Sequence, residues 1–262
     1  MNAIKMYRYR KINSYNIDNL INNKIWLTNP KYFNDPYDCS VYCSMDNLIR
    51  KAIAQNLIDQ YHDKMPNDAL VKLAEEEWAC FKDRINKETI NNDVYSLGIV
   101  FESIIKTVAI ACFTLENMSV YMWSIYADYH QGICLEYGLD DLINYGSFGR
   151  VDYQKNADRI YKMVMNKEKN LQEIINSFIL TKDISWQHEN EWRLIQYNHS
   201  LGESKGMLID SPTPLGIYLG ANISQNNRRK IMEIGSESGI PVYQMELRKD
   251  DFVLRYKNIA NA

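Results

Sequence analysis

Glycine and proline are scarce in this sequence, with 11 and 6 residues among 262, and none of its 5 cysteines forms a CxxC pair or another zinc-binding spacing. No stretch is rich in proline, glycine or serine, and no segment repeats at the period of a solenoid. These absences exclude fibrous, disordered and repeat architectures. An odd number of cysteines with no pairing pattern predicts reduced thiols, mostly buried, in the cytoplasm.

The chain also lacks an excess of positive charge and any long apolar run. Its formal net charge is -3 and its pI is about 5.9, so no overall basic field exists for sequence-independent binding of nucleic acid. The most apolar stretch, 97–113, is interrupted by Glu102 and Lys106, which predicts that it does not span a membrane. Charged residues come before a signal-peptide core could form, and we expect a cytoplasmic protein with no membrane partner.

What the sequence does contain is enough apolar material for a buried core, because 46% of its residues are hydrophobic and 24% are charged. We predict a single domain over 1–262 with an all-helical insertion of three helices at about 45–106. Further helices are predicted over 18–22, 156–182 and 225–237. Strands are predicted at 4–10, 24–28, 107–113, 132–137, 151–153, 191–197, 215–219, 242–247 and 252–256.

This order of elements predicts an α+β fold. Strands at both ends of the chain enclose helices in the middle, so the terminal strands are expected in one mixed or antiparallel sheet. The strand at 107–113 is continuously apolar and is expected at the centre of the sheet. The strand at 4–10 alternates basic and aromatic residues and is expected near an edge.

The first candidate cluster for function lies on a turn. Asn34, Asp35 and Pro36 are a strong turn signal, because proline pushes the preceding residue out of the helical region and Asn and Asp side chains bond to nearby backbone groups. The aromatic residues Phe33 and Tyr37 flank the turn. Two interpretations stay open: Asn34 and Asp35 present acceptors to a ligand, or they cap the turn above packed rings.

The second cluster follows a serine that is a good helix N-cap. A helix is predicted over 119–129, and Gly132 is expected to end it. On such a helix Trp123, Tyr126 and His130 fall at steps of three and four residues and share one face. They either form a pocket with an aromatic wall and an imidazole, or pack as a core stripe with His130 at the helix end.

The third cluster is a set of charges around two tryptophans near the end of the chain. If a strand begins at residue 190, Glu189, Glu191 and Arg193 lie on one face, while Trp192 and Leu194 lie on the other. An acidic pair would then face a common space. Two alternatives stay open: a helix with an ion pair between Glu189 and Arg193, or a solvated strand face whose charges compensate one another.

Several familiar kinds of chemistry have no motif here. The sequence has no GxGxxG, no GxxxxGK(S/T) and no GxSxG motif. The 4 histidines show no metal-ligand spacing, and we predict no metal site and no bound cofactor. Cys112 and Cys134 lie in apolar segments, so a thiol nucleophile is not expected.

Several blocks of the sequence, taken in order, resemble a bacterial family known only as a domain of unknown function, family 2971. The blocks are MYRYR at 6–10, WLTNPKYFNDPYD at 26–38, ACFT at 111–114, MWSIYADYHQGICLEY at 122–137, WQHENEWRLI at 186–195 and GIYLG at 216–220. The resemblance runs nearly end to end, except over about 45–106. It implies a shared ligand pocket formed by Arg10, Asn34, Asp35, Trp123, Tyr126, His130, Gly132, Glu189, Glu191 and Arg193.

The order of these residues is also similar, more distantly, to ADP-ribosyltransferases, in which a basic residue, an aromatic or hydroxyl element and a late glutamate follow one another. This resemblance implies a fold of that type, NAD as a possible substrate and an effector role in phage defence or a toxin system. By this resemblance Arg10 pairs with a phosphate or ribose, and Trp123 and Tyr126 stack on a base. Glu191 stabilises the developing cation, and Glu189 orients the acceptor.

Two alternatives to an enzyme of this kind stay open. The same pocket could belong to a non-catalytic module that binds a nucleotide or peptide, with the helical insertion contacting a partner. The third hypothesis is a nuclease-like effector in which Asp35, Asp38, Glu189 and Glu191 converge on a metal ion. The expected partners are therefore a nucleotide or other small ligand and a macromolecular acceptor of unknown identity.

Overall fold

A computed structural model of the chain describes residues 3–39, 45–85, 103–155, 171–248 and 253–259. Within these ranges the protein is α+β with a mostly antiparallel open sheet, as the sequence predicts. The chain divides into two compact units, of which the first contains 1–29, 108–151 and 185–262. The second unit contains 30–107 and 152–184 and so includes the predicted insertion. The single domain over 1–262 stays a prediction.

The described residues form twelve strands and seven α-helices. The strands are β1 (Lys5–Arg10), β2 (Lys24–Thr28), β3 (Val108–Thr114), β4 (Ile133–Gly138), β5 (Ser147–Arg150), β6 (Asp152–Gln154), β7 (Thr181–Asp183), β8 (Glu191–Tyr197), β9 (Gly206–Asp210), β10 (Gly216–Leu219), β11 (Val242–Leu247) and β12 (Leu254–Asn258). The helices are α1 (Ser14–Ile21), α2 (Met45–Tyr61), α3 (Asn67–Ile85), α4 (Val120–Tyr126), α5 (Leu139–Leu142), α6 (Leu171–Leu180) and α7 (Gln225–Ser238). Within these ranges no helix combines the length and apolarity needed to cross a membrane.

The first unit is built on a ten-stranded sheet with the order β12-β11-β10-β4-β1-β3-β2-β9, and β8 joins β3 to β5. Neighbouring strands are antiparallel except β10 and β11, which are parallel and connected through α7. Strand β8 pairs with the whole of β3 along one edge. The other edge of β3 is shared by β1, which pairs at Thr114, and β2, which pairs at Ile110. The prediction that the first strand lies near an edge is wrong, since β1 pairs with both β3 and β4.

Both faces of the sheet are buried at its central strands, which the alternation of β1 illustrates. Met6 lies in the larger core, which includes residues of α1, α7 and the strands on that side. Tyr7 and Tyr9 point to the opposite face, where they pack against Trp123 and Ala127 of the α4 region. We call this the α4 face. It also contains Met122, Cys134, Tyr218, Met245 and Leu254.

Helix α4 is shorter than predicted. Ser119 is its N-cap, as expected, and its hydroxyl oxygen accepts a hydrogen bond from the Met122 N–H at 3.3 Å. The helix ends at Tyr126, however, because the next residues turn sharply: Asp128, Tyr129 and His130 have φ of 49, 54 and 65°. The prediction that the helix continues through residue 129 is therefore wrong.

The second unit contains the described part of the helical insertion. Helices α2 and α3 pack through Leu57, Leu70 and Ala74. The third predicted helix lies mostly outside the described residues, as does 156–170 of the predicted long helix. That helix ends at Leu180, not at residue 182, because Thr181–Asp183 is a strand that pairs with β6.

Candidate functional site

Trp123 is the central residue of the α4 face. Its side chain is 0% exposed, and its indole N–H donates to the Asn117 carbonyl oxygen at 2.8 Å. The Tyr9 ring lies edge-on to it with ring centres 5.1 Å apart. Trp123 therefore anchors α4 to the sheet, and its ring has no surface open to a ligand.

His130 reaches the same tryptophan from the turn after α4. The two rings are nearly parallel, at 15° and 6.3 Å between centres. Because the Ser124 hydroxyl donates to the Val120 carbonyl oxygen, we assign the His130 Nε2–H as the donor to Ser124 Oγ at 3.1 Å. His130 Nδ1 is buried with no hydrogen-bond partner. Burial lowers the pKa of His130, so the imidazole is neutral at pH 7.

Glu189 and Tyr126 connect α4 to the segment before β8. Glu189 is the last residue of the 3-10 helix Ile184–Glu189 and is followed by Asn190 with a left-handed φ of 44°. The Tyr126 hydroxyl donates to Glu189 Oε1, and the carboxylate is 3% exposed. Sequence reasoning expected the two residues in one pocket, and the structure brings them into direct contact.

Glu191 and Arg193 lie on the same face of β8, as the predicted alternation requires. The Arg193 Nε–H donates to Glu191 Oε1 at 2.8 Å, and an Nη2–H donates to Oε2 at 3.2 Å. Glu191 is 3% exposed and Arg193 0%, so the solvated-face alternative is wrong. The helical alternative is also wrong, because these residues form a strand. A buried charge pair with two hydrogen bonds is geometrically fixed.

The structure adds a buried carboxylate that sequence reasoning missed. Glu136 on β4 accepts a hydrogen bond from the Tyr218 hydroxyl at 2.6 Å and pairs with Lys5 Nζ at 2.8 Å. The hydrogen bond to Glu136 raises the pKa of Lys5, and burial raises the pKa of Tyr7 and Tyr218. The signal was a single glutamate inside the apolar strand ICLEYG. It could have been recognised as a buried acid.

Strand pairing places this glutamate in the same row of residues as Glu191. Glu191 is opposite Thr114, Thr114 is opposite Tyr7, and Tyr7 is opposite Glu136. Because Tyr7 points to the α4 face, the whole row does so. The α4 face therefore carries three buried carboxylates, of Glu136, Glu189 and Glu191.

Arg10 does not join this group. By the alternation of β1 its side chain shares the Met6 face, opposite to Tyr7 and Tyr9. Burial lowers the pKa of Arg10, although its guanidinium is still charged at pH 7. Arg8 on the same face donates to the Trp26 carbonyl oxygen at 2.6 Å. The structure thus separates Arg10 from Glu191 by the thickness of the sheet.

The turn residues of the first cluster lie in the second unit. Asp35 is buried, and its Oδ1 accepts a hydrogen bond from the Tyr37 N–H at 2.9 Å, so Asp35 caps the turn. The Tyr37 ring is 76% exposed, so the expectation that it packs beneath the turn is wrong. Asn34 is exposed beside it. Asp38 pairs with Lys182 at 3.4 Å, and both side chains are buried.

The described residues contain no group of three or more His, Cys, Asp or Glu side chains arranged to hold a metal ion. Cys39, Cys80, Cys112 and Cys134 are free thiols, and burial raises the pKa of Cys134. Cys80 and Cys112 are exposed, so the expectation of mostly buried cysteines is wrong for half of the described ones. Cys43 lies outside the described residues.

The fold and the site define an α+β protein with a cluster of buried carboxylates beneath a short helix. Residues 122–194 match the family described as "Protein of unknown function (DUF2971)". The matched segment begins in α4 and ends in β8, so it includes Trp123, Tyr126, Glu189, Glu191 and Arg193. The chain matches no curated protein and no solved structure.

Proposed function

We propose that this chain is an NAD-using enzyme of the ADP-ribosyltransferase type whose reaction takes place at Glu189 and Glu191. The observation that carries the proposal is the burial of these two carboxylates, each held by a donor from a neighbouring side chain, Tyr126 or Arg193. A negative charge fixed in a site of low dielectric stabilises a developing positive charge more strongly than one in water does.

In the proposed reaction the bond between the nicotinamide nitrogen and C1′ of the ribose breaks, and its electron pair leaves with nicotinamide. Positive charge develops on the ribose as an oxocarbenium ion, which Glu191 stabilises. A nucleophile of the acceptor, or water, forms the new bond to C1′, and its proton passes to Glu189 and then to solvent. With water as the acceptor, the products are ADP-ribose, nicotinamide and one proton.

The positions of Trp123 and Arg10 change the roles that were expected for these two residues. Tyr126 is only partly buried and can contact both a ligand and Glu189, whereas Trp123 is fully buried and supports α4. Arg10 lies on the other face of the sheet and is not assigned a role in the proposed site. Trp123 and His130 therefore act in this proposal as positioning residues for Tyr126.

A second candidate function is a non-catalytic binding module. The observation that favours it is the pair of hydrogen bonds from Arg193 to both oxygens of Glu191, since such a carboxylate already has an internal partner. A buried pair of this kind can serve to specify the structure without taking part in chemistry. In this function the α4 face recognises a nucleotide or peptide and leaves it unchanged.

The test combines calorimetric titration of the purified protein with NAD and chromatographic detection of nicotinamide. The proposal predicts saturable binding and nicotinamide release by the unmodified protein. It predicts that Glu191→Gln and Glu189→Gln each reduce the turnover rate roughly a hundredfold or more while NAD still binds. Glu233→Gln on the exposed surface of α7 is the matched control and should leave the rate unchanged.

Glu191→Gln leaves Arg193 with a weaker partner, so circular dichroism must show that the variant is folded. If it is not, Glu189→Gln and Tyr126→Phe carry the test, because neither alters the Arg193 pair. Binding of NAD without nicotinamide release by the unmodified protein would support the binding module. No NAD binding and no release would overturn the proposal.

A further inference from the structure

Two arginines of β1 lie side by side on the face of the sheet that is opposite to the α4 face. Arg8 and Arg10 alternate with Tyr7 and Tyr9 along the strand, so both arginine side chains share the face of Met6. Arg8 is 5% exposed, and Arg10 is partly buried. The proposed reaction on the α4 face uses neither of them.

The described part of the chain supplies no carboxylate to neutralise these two guanidinium groups. None of its ion pairs includes Arg8 or Arg10. Among the described residues, Arg8 donates to the Trp26 carbonyl oxygen at 2.6 Å, and the side chain of Arg10 donates to no acceptor. Arginine is rarely buried without an acidic partner, because removing an unpaired charge from water is costly. An anion from solution can supply the missing negative charge.

Aromatic side chains connect the two guanidinium groups. The Arg8 guanidinium lies over the Phe113 ring at 5.5 Å, and Phe113 packs edge-on against Tyr137 with ring centres 5.9 Å apart. Burial lowers the pKa of Arg10, and Tyr137 and Tyr15 interact electrostatically with the same charge. Tyr15 is 46% exposed. Both positive charges therefore lie in one region of the first unit, and its border includes an exposed ring.

The N–H groups of the two arginines that have no acceptor are open to solvent. The enclosed side-chain atoms without a hydrogen-bond partner in the described part of the chain belong to Asn19, His130 and Trp192. No nitrogen of Arg8 or Arg10 is among them, so a dissolved ligand can reach the unused donors. A guanidinium binds two oxygens of a phosphate group through two parallel hydrogen bonds.

From these observations we infer that Arg8 and Arg10 form a phosphate-binding site on the Met6 face. Two adjacent positive charges attract the double negative charge of phosphate more strongly than the single charge of a carboxylate. The ligand is free phosphate or the phosphate group of a small ester, whose organic part lies beside Tyr15. The site is on the face opposite to Glu191, and the inference does not depend on NAD turnover there.

The experiment is calorimetric titration of the full chain with inorganic phosphate, with sodium chloride keeping the ionic strength constant. The inference predicts saturable binding of phosphate, and binding about tenfold weaker or more for acetate, which has one negative charge. Phenyl phosphate distinguishes the two sources of the group. Tighter binding of phenyl phosphate than of inorganic phosphate assigns the site to an ester, and equal or weaker binding assigns it to free phosphate.

Arg10→Gln tests the contact, and Lys11→Gln is its matched control, because Lys11 is an exposed cation at the next position. Arg10→Gln should weaken phosphate binding about tenfold or more, and Lys11→Gln should leave it unchanged. Glu191→Gln should bind phosphate like the unmodified protein, so failure of the proposed reaction leaves this result intact.

The stability of Arg10→Gln gives a second measurement. Because the substitution removes a charge that no described acid compensates, the variant should resist urea at least as well as the unmodified protein when phosphate is absent. Unfolding of Arg10→Gln at lower urea would reveal a partner within the chain and overturn the inference. The inference is also overturned if the unmodified protein does not bind phosphate, if acetate binds equally well, or if Arg10→Gln leaves binding unchanged.

Discussion

At the scale of single residues, the hydrogen bond from Tyr126 to Glu189 is the contact that joins α4 to the segment before β8. Removing a donor from a buried carboxylate costs about 1–3 kcal/mol, because the acceptor loses a partner that water does not replace. We therefore expect Tyr126→Phe to lower the free energy of unfolding by that amount, measured by urea denaturation.

Tyr129→Phe is the matched control, because Tyr129 is 72% exposed and three residues further along the chain. Loss of the Tyr129 hydroxyl should change the free energy of unfolding by less than about 0.5 kcal/mol. Equal stability of the two variants would show that the Tyr126 hydroxyl makes no net contribution.

His130 gives a second prediction at this scale, because burial lowers its pKa below that of an unfolded histidine, which is about 6.5. The unfolded state therefore takes up the proton first as the pH falls. The stabilisation from neutral His130 is complete above about pH 6.5 and is lost as the pH falls through the folded-state pKa. The free energy of unfolding, measured at a series of pH values from about 7.5 to 5, should therefore decrease as the pH falls.

His130→Asn should flatten this dependence on pH. Asparagine tolerates the left-handed φ of residue 130 and does not titrate. His188→Asn is the control, because His188 is exposed and should leave the slope unchanged. An NMR titration that gives His130 a pKa at or above 6.5 would contradict the prediction.

At the scale of elements, the turn between α4 and β4 is held by close backbone contacts. The Gly220 N–H donates to the Gly132 carbonyl oxygen at 2.9 Å, and the Asn222 N–H donates to that of His130 at 2.9 Å. A Cβ at position 220 would lie 2.1 Å from the His130 carbonyl oxygen. The loop before α7 thus fixes the three left-handed residues of the turn.

Gly220→Ala should consequently force the two backbones apart. We expect a loss of about 1–3 kcal/mol in the free energy of unfolding, as for other overpacked sites. Gly202→Ala is the comparison, because a Cβ there meets nothing within 4 Å and the cost is limited to its left-handed φ of 56°. Thermal unfolding that ranks Gly202→Ala as the more damaging variant would contradict this assignment of close packing.

Elements with a strong periodic pattern could be predicted from the sequence. The bounds of β8 and β11 agree exactly with the prediction, and α7 differs by one residue. The strands β5, β7 and β9 were not predicted. They are short, most of their residues are at least partly exposed, and they have no long alternation of apolar and polar residues. The early end of α4 could not be predicted, because it depends on backbone contacts with distant loops.

At the scale of the whole molecule, the cysteines report which surfaces are open to solvent. Cys80 and Cys112 are exposed, and Cys39 and Cys134 are buried. In a Cys43→Ser background, Ellman's reagent should therefore react quickly with two thiols in the native protein and with four in urea. Rapid reaction of all four without denaturant would contradict the described burial.

The sequence by itself determined the α+β class, most strands, the cap of α4 and the alternation that puts Glu191 and Arg193 on one face of β8. These features depend on local propensity and on the two-residue repeat, which neighbouring residues specify. Only the tertiary structure decided that Arg10 and Glu191 lie on opposite faces, that Tyr126 contacts Glu189 and that Glu136 is buried. Those facts depend on strand order and register, which are set by the packing of residues far apart in the chain.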